Sequence, residues 1–513
     1  MKNSHLNLQP SAAFNLRGLA PDPYLLLPAV LVLLAWLALH LVQRGTPVFP
    51  ADDAYLTLHN AQVLLGQRDG NFAVPALVGA TSTVHVVLVA LLGLVLPLPW
   101  ALDTTLWLGA LLYATGVCRL AQMAGARPLP AVLFTAAAML AGHTTLQLLN
   151  GLETGLAMGA ITWALVAAST PGRRAALTLA ALCGLMPFLR PELAALSALL
   201  LPLPVLRAAR DSARAAAVRL LVECSVIAML CAAPWLLLNL WNTGDLVPAT
   251  ASAKQAWFAE GDLSARTKLH WVGGQVLLFL LTFGAISALA LAMIWGSLVG
   301  MAGAAFACAV VGAFWMNLPG GFSHYHQRYL YVFAPVLVFA AAAIFRNTPT
   351  SRHSLIGSVL LAQSTLIATP ALHTLQNETD RTRRELAGVA DWSLANLPAD
   401  SVLLVHDAGY IAAATPFRMV DVVGRKTPSS IESHRQLTLP SRGERRTEAV
   451  ASIASNSRAT HLILLDEWER SFQVRAGLVA RGWSVEPLRT GGAYKVHRLK
   501  APGLVEDGTG PVQ

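Results

Sequence analysis

The chain has 513 residues, 55% of them hydrophobic and only 13% charged, with a formal net charge of +9. Soluble domains carry roughly 25% charged residues, and runs near the ~18 apolar residues of a membrane span recur here, which excludes one large soluble core. The runs do not alternate in polarity, which excludes an outer-membrane barrel, and the basic residues are scattered over loops, which gives nucleic-acid binding no support.

Residues 1–22 are polar and read as a cytoplasmic N-terminal segment. The run Tyr24–Val42 carries no A-x-A cleavage site, so it reads as a retained first span. Further apolar runs follow at Val84–Leu96, Thr104–Leu120, Leu129–Ala141, Gly155–Ala168, Ala175–Leu189, Leu193–Leu206, Val218–Leu240, Val272–Trp295, Leu298–Met316, Tyr329–Phe345 and Leu355–Leu372. Cytoplasmic loops attract Lys and Arg. The loops holding Arg119/Arg127, Arg173/Arg174, Arg207/Arg210/Arg214/Arg219 and Arg346/Arg352 fall on one side only if Val84–Leu96, closed by Pro97 and Pro99, does not cross. The expectation is an α-helical polytopic protein of about eleven transmembrane helices, N-terminus inside and C-terminus outside. Its membrane domain covers residues 23–372, with a first exterior loop at about 43–83. All five cysteines (Cys118, Cys183, Cys224, Cys231, Cys308) lie in apolar runs.

From His373 charges become frequent and apolar runs shorten. Strands are expected at Ser401–Val405, Arg418–Val423, His461–Leu465 and Ala493–Leu499, with helices at Thr379–Asn396, Glu444–Ser455 and Arg470–Arg481. Residues 373–513 thus form an extracytoplasmic α/β domain.

The expected exterior loops collect the polar motifs. Asp52-Asp53 opens an amphipathic segment suited to the membrane interface. A helix cap explains one of these carboxylates but not both. Glu153 starts a span, where the helix dipole favours a carboxylate. Arg190-Pro191-Glu192 breaks one span and starts another, so Arg190 either pairs with an acidic residue such as Glu192 or meets substrate. Asp245 and Lys254 lie in a Gly/Pro loop, where a lysine either snorkels towards lipid phosphate or holds a substrate phosphate. HYHQRYLY puts His324, His326 and Arg328 before a span. If that segment is extended, all three face one side and suit an anion; an aromatic interface belt and a metal site are the other readings. His406-Asp407-Ala408-Gly409 follows a strand, and Asp421 reads as a strand-end residue.

In order and spacing these motifs resemble the multi-spanning GT-C glycosyltransferases that use polyprenyl-phosphate sugars, and most closely the bacterial terminal arabinofuranosyltransferase group. The matches are Asp52-Asp53-Ala54-Tyr55, Thr81-Ser82, Gly151–Thr154, Arg190–Glu192, Pro234-Trp235 with Gly244–Pro248 and Ala253-Lys254, Arg328, Asp407–Gly409 and Asp421–Gly424. The glutamate and aromatic that commonly precede the Thr-Ser element are absent. The resemblance implies an inverting transfer of a sugar, arabinofuranose or a hexose, to an acceptor hydroxyl on the periplasmic face of a bacterial inner membrane. The acceptor is a glycan, a glycolipid or a protein. Asp53 or Asp52 is then the general base, with Asp53 preferred because Asp52 suits the cap. Arg190, Lys254, His324, His326 and Arg328 are candidates for the donor phosphate. Glu153, Glu192, Asp245, Tyr55 and Asp407 are candidates for substrate contact. A divalent cation (Mg or Mn) is compatible but not demanded, since arginine and lysine can supply the charge. The rival readings are a transporter or flippase of lipid-linked sugar and a membrane-anchored glycan-binding assembly protein.

Overall fold

The structure is a computed structural model that describes residues 23–43, 45–66, 69–211 and 214–502. The expected N-terminal segment 1–22 lies outside the described residues. Among them, five helices are long and apolar enough to cross a membrane: Leu98–Met123, Leu193–Arg210, Arg214–Thr243, Leu298–Asn317 and Thr350–Asn396. Shorter apolar helices accompany them at Leu25–Leu41, Thr83–Gly93, Pro128–Leu140, Thr154–Ser169 and Tyr331–Asn347. The helix Thr83–Gly93 has 11 residues. At 1.5 Å per residue it is about 16 Å long, roughly half the ~30 Å hydrocarbon thickness. Length and composition alone therefore yield fewer spans than the eleven expected.

The run Val272–Trp295 does not form the straight span its composition suggests. Ala265–Phe283 and Ala285–Gly296 meet at an angle of 106°. The break falls at Gly284, whose φ of +56° interrupts the helical ladder. Thr154–Ser169 is buried on almost every side and forms the centre of the bundle. It packs on Leu98–Met123, where a Cβ at Gly109 would crowd the backbone of Gly155 and Leu156. Such small-residue contacts let helices approach closely where lipid offers no hydrophobic drive between them. By contrast, Arg214–Thr243 exposes Val218, Val222, Met229 and Leu237, as a lipid-facing helix would.

The chain changes composition at His373 without breaking its helix. His353–Arg381 runs through a π turn at Thr382–Leu386 into Ala387–Asn396. The expected domain boundary therefore falls inside a continuous rod. Beyond it, among the described residues, lie five strands: β1 Val402–Val405, β2 Arg418–Asp421, β3 His461–Leu465, β4 Ser484–Arg489 and β5 Tyr494–Lys500. Their order is β2-β1-β3-β5-β4. β1 is parallel to β2 and β3, while β5 is antiparallel to both β3 and β4. β1 and β3 are buried along their full length, as continuous apolar strands covered on both faces should be. β4 was not expected; its residues SVEPLR are largely exposed at the sheet edge, and Pro487 sits at a register irregularity. The expected helix over Arg470–Arg481 is two short ones, Asp466–Phe472 and Val474–Val479, joined through Gln473 in a left-handed conformation.

The domain shares core with the rest of the chain. Trp257, at the end of the helix Thr250–Phe258, is fully buried in a cluster with Val420, Val450 and Leu464. Arg446 donates to the carbonyls of Trp257 (2.9 Å) and Phe258 (3.1 Å). On the other sheet face Leu56 joins Leu403, Ile463 and Val496, with Phe72 packed against the cluster.

Candidate active site

The helix Asp52–Leu64 begins after Ala51, which makes no side-chain cap. Asp52 does not cap its own helix as the sequence suggested. Its carboxylate accepts the backbone N–H of Gly409 (2.9 Å) and of Tyr410 (2.8 Å). Asp52 thus fastens the C-terminal domain to the membrane domain. Gly409 is required for this approach, because a Cβ there would overlap the Asp52 carbonyl. Gly151, with φ +88°, plays the same part on the other side of the helix, where a Cβ would overlap that of Ala54.

Asp53 points the other way, into a cluster of cations. Arg328 Nη1 lies 3.0 Å from its carboxylate, and Arg425 Nη1 donates to the second oxygen. Arg328 Nη2 (2.9 Å) and Lys254 Nζ (2.8 Å) both donate to the Tyr329 hydroxyl. Arg425 Nη2 donates to the His406 carbonyl at 2.9 Å. Burial works to raise the Asp53 pKa, but Arg425, Arg328 and Lys254 outweigh it and hold the carboxyl well below its usual range. At Asp52 burial prevails. It raises the pKa, with the Asp407 carboxylate adding to it and the Tyr410 N–H and Arg425 opposing.

Sequence reasoning missed Arg425. Its position follows from Asp421, which is more than a strand-end residue: its carboxylate accepts the N–H of Val423 (2.9 Å) and of Lys426 (3.0 Å). This shapes the turn that presents both cations. Lys426 is fully buried and donates to Asn60 on the Asp52–Leu64 helix at 2.7 Å. The one available signal was placement directly after the D-x-V-G element.

HYHQRYLY is not extended. Tyr325, His326 and Gln327 all have positive φ (43°, 54° and 67°), so three consecutive non-glycine residues form a left-handed turn. Each costs roughly 1–2 kcal/mol in this conformation. Gln147 Nε2 secures the turn by donating to the carbonyls of Tyr325 (2.8 Å) and His326 (3.0 Å). The turn separates the three residues that an extended strand would align. Only Arg328 reaches Asp53. His324 lines the adjoining cavity, and burial, then Lys254 and Arg328, push its pKa down to about 3, so it is neutral. His326 instead faces Glu378 at 3.9 Å and the ring of His143.

Arg190 is 1% exposed and committed to two carboxylates, Glu192 at 2.7 Å and Glu153 at 3.3 Å. Its charge is spent on that triad, although its guanidinium also lies 5.1 Å from the centre of the Tyr329 ring. Tyr55 accepts the Phe49 N–H at 3.1 Å and stacks edgewise on Tyr410, which makes it a packing residue of the domain junction. Asp245 is exposed in its loop and lines none of the cavities described below. Asp407 accepts from the Tyr494 hydroxyl and lies 3.1 Å from His406 Nε2. Among the described residues no group of three or more His, Cys, Asp or Glu side chains is placed to hold a metal ion.

Asp53 forms part of the wall between two cavities. The larger, about 890 Å³, opens between the domains and is lined by Lys254, His324, Tyr325, Arg425 and Trp468 among others. The smaller, about 30 Å³, is hydroxyl-rich, with Thr57, Thr81, Ser82 and Thr250 beside Glu153 and Arg328. Asp52 and Asp407 share a third cavity of about 180 Å³. The chemistry available at Asp53 is an ionised carboxylate beside three cations, at the edge of a space large enough for a substrate.

The architecture is a helical fold shared with solved structures of known proteins. The solved structures sharing it include ArnT from Cupriavidus metallidurans bound to undecaprenyl phosphate, with a TM-score of 0.56 and 14% identity over 93% of this chain and 98% of that one. ArnT from the same organism in the apo state gives a TM-score of 0.56 and 15% identity over 92% and 97%. Residues 373–498 match the family model of a domain of unknown function, DUF8728. No curated protein matches the chain.

Proposed function

We propose that the chain is an inverting glycosyltransferase that moves a sugar from a polyprenyl phosphate to an acceptor hydroxyl, on the membrane face that carries the C-terminal domain. The observation that carries this reading is Asp53 set against Arg328, Arg425 and Lys254 at the wall of the large cavity. The undecaprenyl phosphate bound to ArnT, which shares the fold, supports a lipid-phosphate donor. In the reaction the acceptor oxygen attacks the anomeric carbon and gives its proton to Asp53. The bond from that carbon to the phosphate oxygen breaks, and its electron pair leaves with the phosphate. Arg328, Arg425 and Lys254 stabilise the charge gathering there. Asp52 holds the domain that supplies Arg425 and takes no proton from substrate. Arabinofuranose is the first sugar to try and a hexose such as mannose the second. Placement in a bacterial inner membrane with about eleven crossings, active site outside, belongs to the same proposal.

A flippase would place its ionisable residues near mid-membrane. Here they gather where the two domains meet, which favours the transferase. The test is transfer from lipid-linked sugar by purified protein. Asp53→Asn should insert and fold yet lose about 10²–10⁴-fold in turnover, the usual worth of a general base. Wild-type turnover in that variant would remove Asp53 from the mechanism.

A further inference from the structure

The Asp53 carboxylate lies where an anionic ligand would be expected to lie. It occupies one amino group of Arg328 and one of Arg425, with the Lys254–Tyr329 pair beside them. Two buried guanidiniums need an anion, since losing one partner of such a pair leaves a costly uncompensated charge. Arg328 Nε is itself buried without a hydrogen-bond partner, so the guanidinium has a donor to spare. A base clamped in this way is a poor one, because its lone pairs are committed to two cations. Resting on the transferase reading above, we propose that the donor phosphate displaces Asp53 from Arg328 and Arg425, so that donor binding itself frees the carboxylate to accept the acceptor's proton.

The charged and titratable groups around Asp53 are Arg328, Tyr325, His324 and Tyr329 in and beside the left-handed turn, Lys254, Arg425, Asp407, its neighbour Asp52, and Glu153 across the small cavity. Once the phosphate holds the cations, nothing offsets the burial of Asp53. Its proton affinity therefore rises, so that near neutrality the carboxylate is basic enough to accept the acceptor's proton while still ionised in part of the molecules. Before that, the cations keep it ionised.

The experiment is calorimetric titration of the full chain in detergent with the methyl ester of undecaprenyl phosphate, repeated in buffers of different ionisation enthalpy. This phosphodiester has no ionisation near neutrality, so proton uptake reports on the protein. Wild type should take up a measurable fraction of a proton per lipid bound, growing as the pH is lowered below neutrality and vanishing as it is raised, as expected for one carboxylate released from its cations. Asp53→Asn should take up none and bind at least about tenfold more tightly, because its arginines are left without a counter-ion. Binding without proton uptake, equal uptake in Asp53→Asn, or unchanged or weaker binding by that variant would overturn the exchange alone. Should the variant fail to fold, Tyr329→Phe, which removes the other titratable group on these cations, decides: uptake that persists there supports the exchange, and its loss overturns it. No binding by wild type would overturn both the exchange and the transferase reading.

Discussion

Replacing Arg425 with glutamine is expected to abolish detectable sugar transfer and to destabilise the protein by about 3 kcal/mol, the lower end for breaking a buried ion pair. The side chain ties Asp53 to the His406 carbonyl and so joins the two domains through the site. Its loss leaves Asp53 one ion pair, to Arg328, with Lys254 nearby, and removes a cation from the departing phosphate. Arg425→Lys keeps the charge but cannot form two bonds in one plane. It should recover part of the stability and little of the transfer. Thermal unfolding in detergent and the transfer assay check both effects. Wild-type transfer in Arg425→Gln would remove Arg425 from the mechanism.

Gly409→Ala should be nearly as harmful, though residue 409 carries no functional group. The added Cβ would overlap the Asp52 carbonyl, and because that is backbone, no side-chain rotation relieves it. The cost is expected near 3 kcal/mol, the upper part of the usual overpacking range. As the turn is pushed away, Asp52 loses its two amide donors. Transfer should fall with stability, and proteases should gain access at the domain junction. Gly388→Ala is the control: its Cβ would meet only the end of Arg489 at 3.5 Å. Equal melting temperatures for Gly409→Ala and Gly388→Ala would show that the contact is not tight.

The two aspartates show what a sequence conveys and what it withholds. Asp52-Asp53, Glu153, Arg190, Lys254 and Arg328 stand out because each is a charge beside an apolar run. The structure gathers them at one end of the bundle. What separates Asp52 from Asp53 is a partner more than 350 residues away, Gly409 and Tyr410 for one and Arg425 for the other. No local pattern encodes such a pairing. The turn at Tyr325–Gln327 was hidden for a different reason. It contains no glycine, and its conformation is imposed by Gln147 and the surrounding packing. β1 and β3 were legible as short apolar runs between polar ones, whereas β4 is an exposed edge whose residues advertise no strand. The bend at Gly284 was invisible because hydropathy continues unbroken across it.

The helix that runs from His353 to Asn396 ties the chemistry to angular phase. A rod rotates what it carries by about 100° for each residue added and by close to a whole number of turns for every seven. One residue inserted after Gln376, on the exposed part of this rod, would swing Arg425 away from Asp53 without touching either. The π turn at Thr382–Leu386 already absorbs one extra residue of this kind. Seven added residues would restore the phase but lengthen the rod by about 10 Å, so relatives that keep this site should hold the length of this segment constant, or offset a single deletion by losing the π turn.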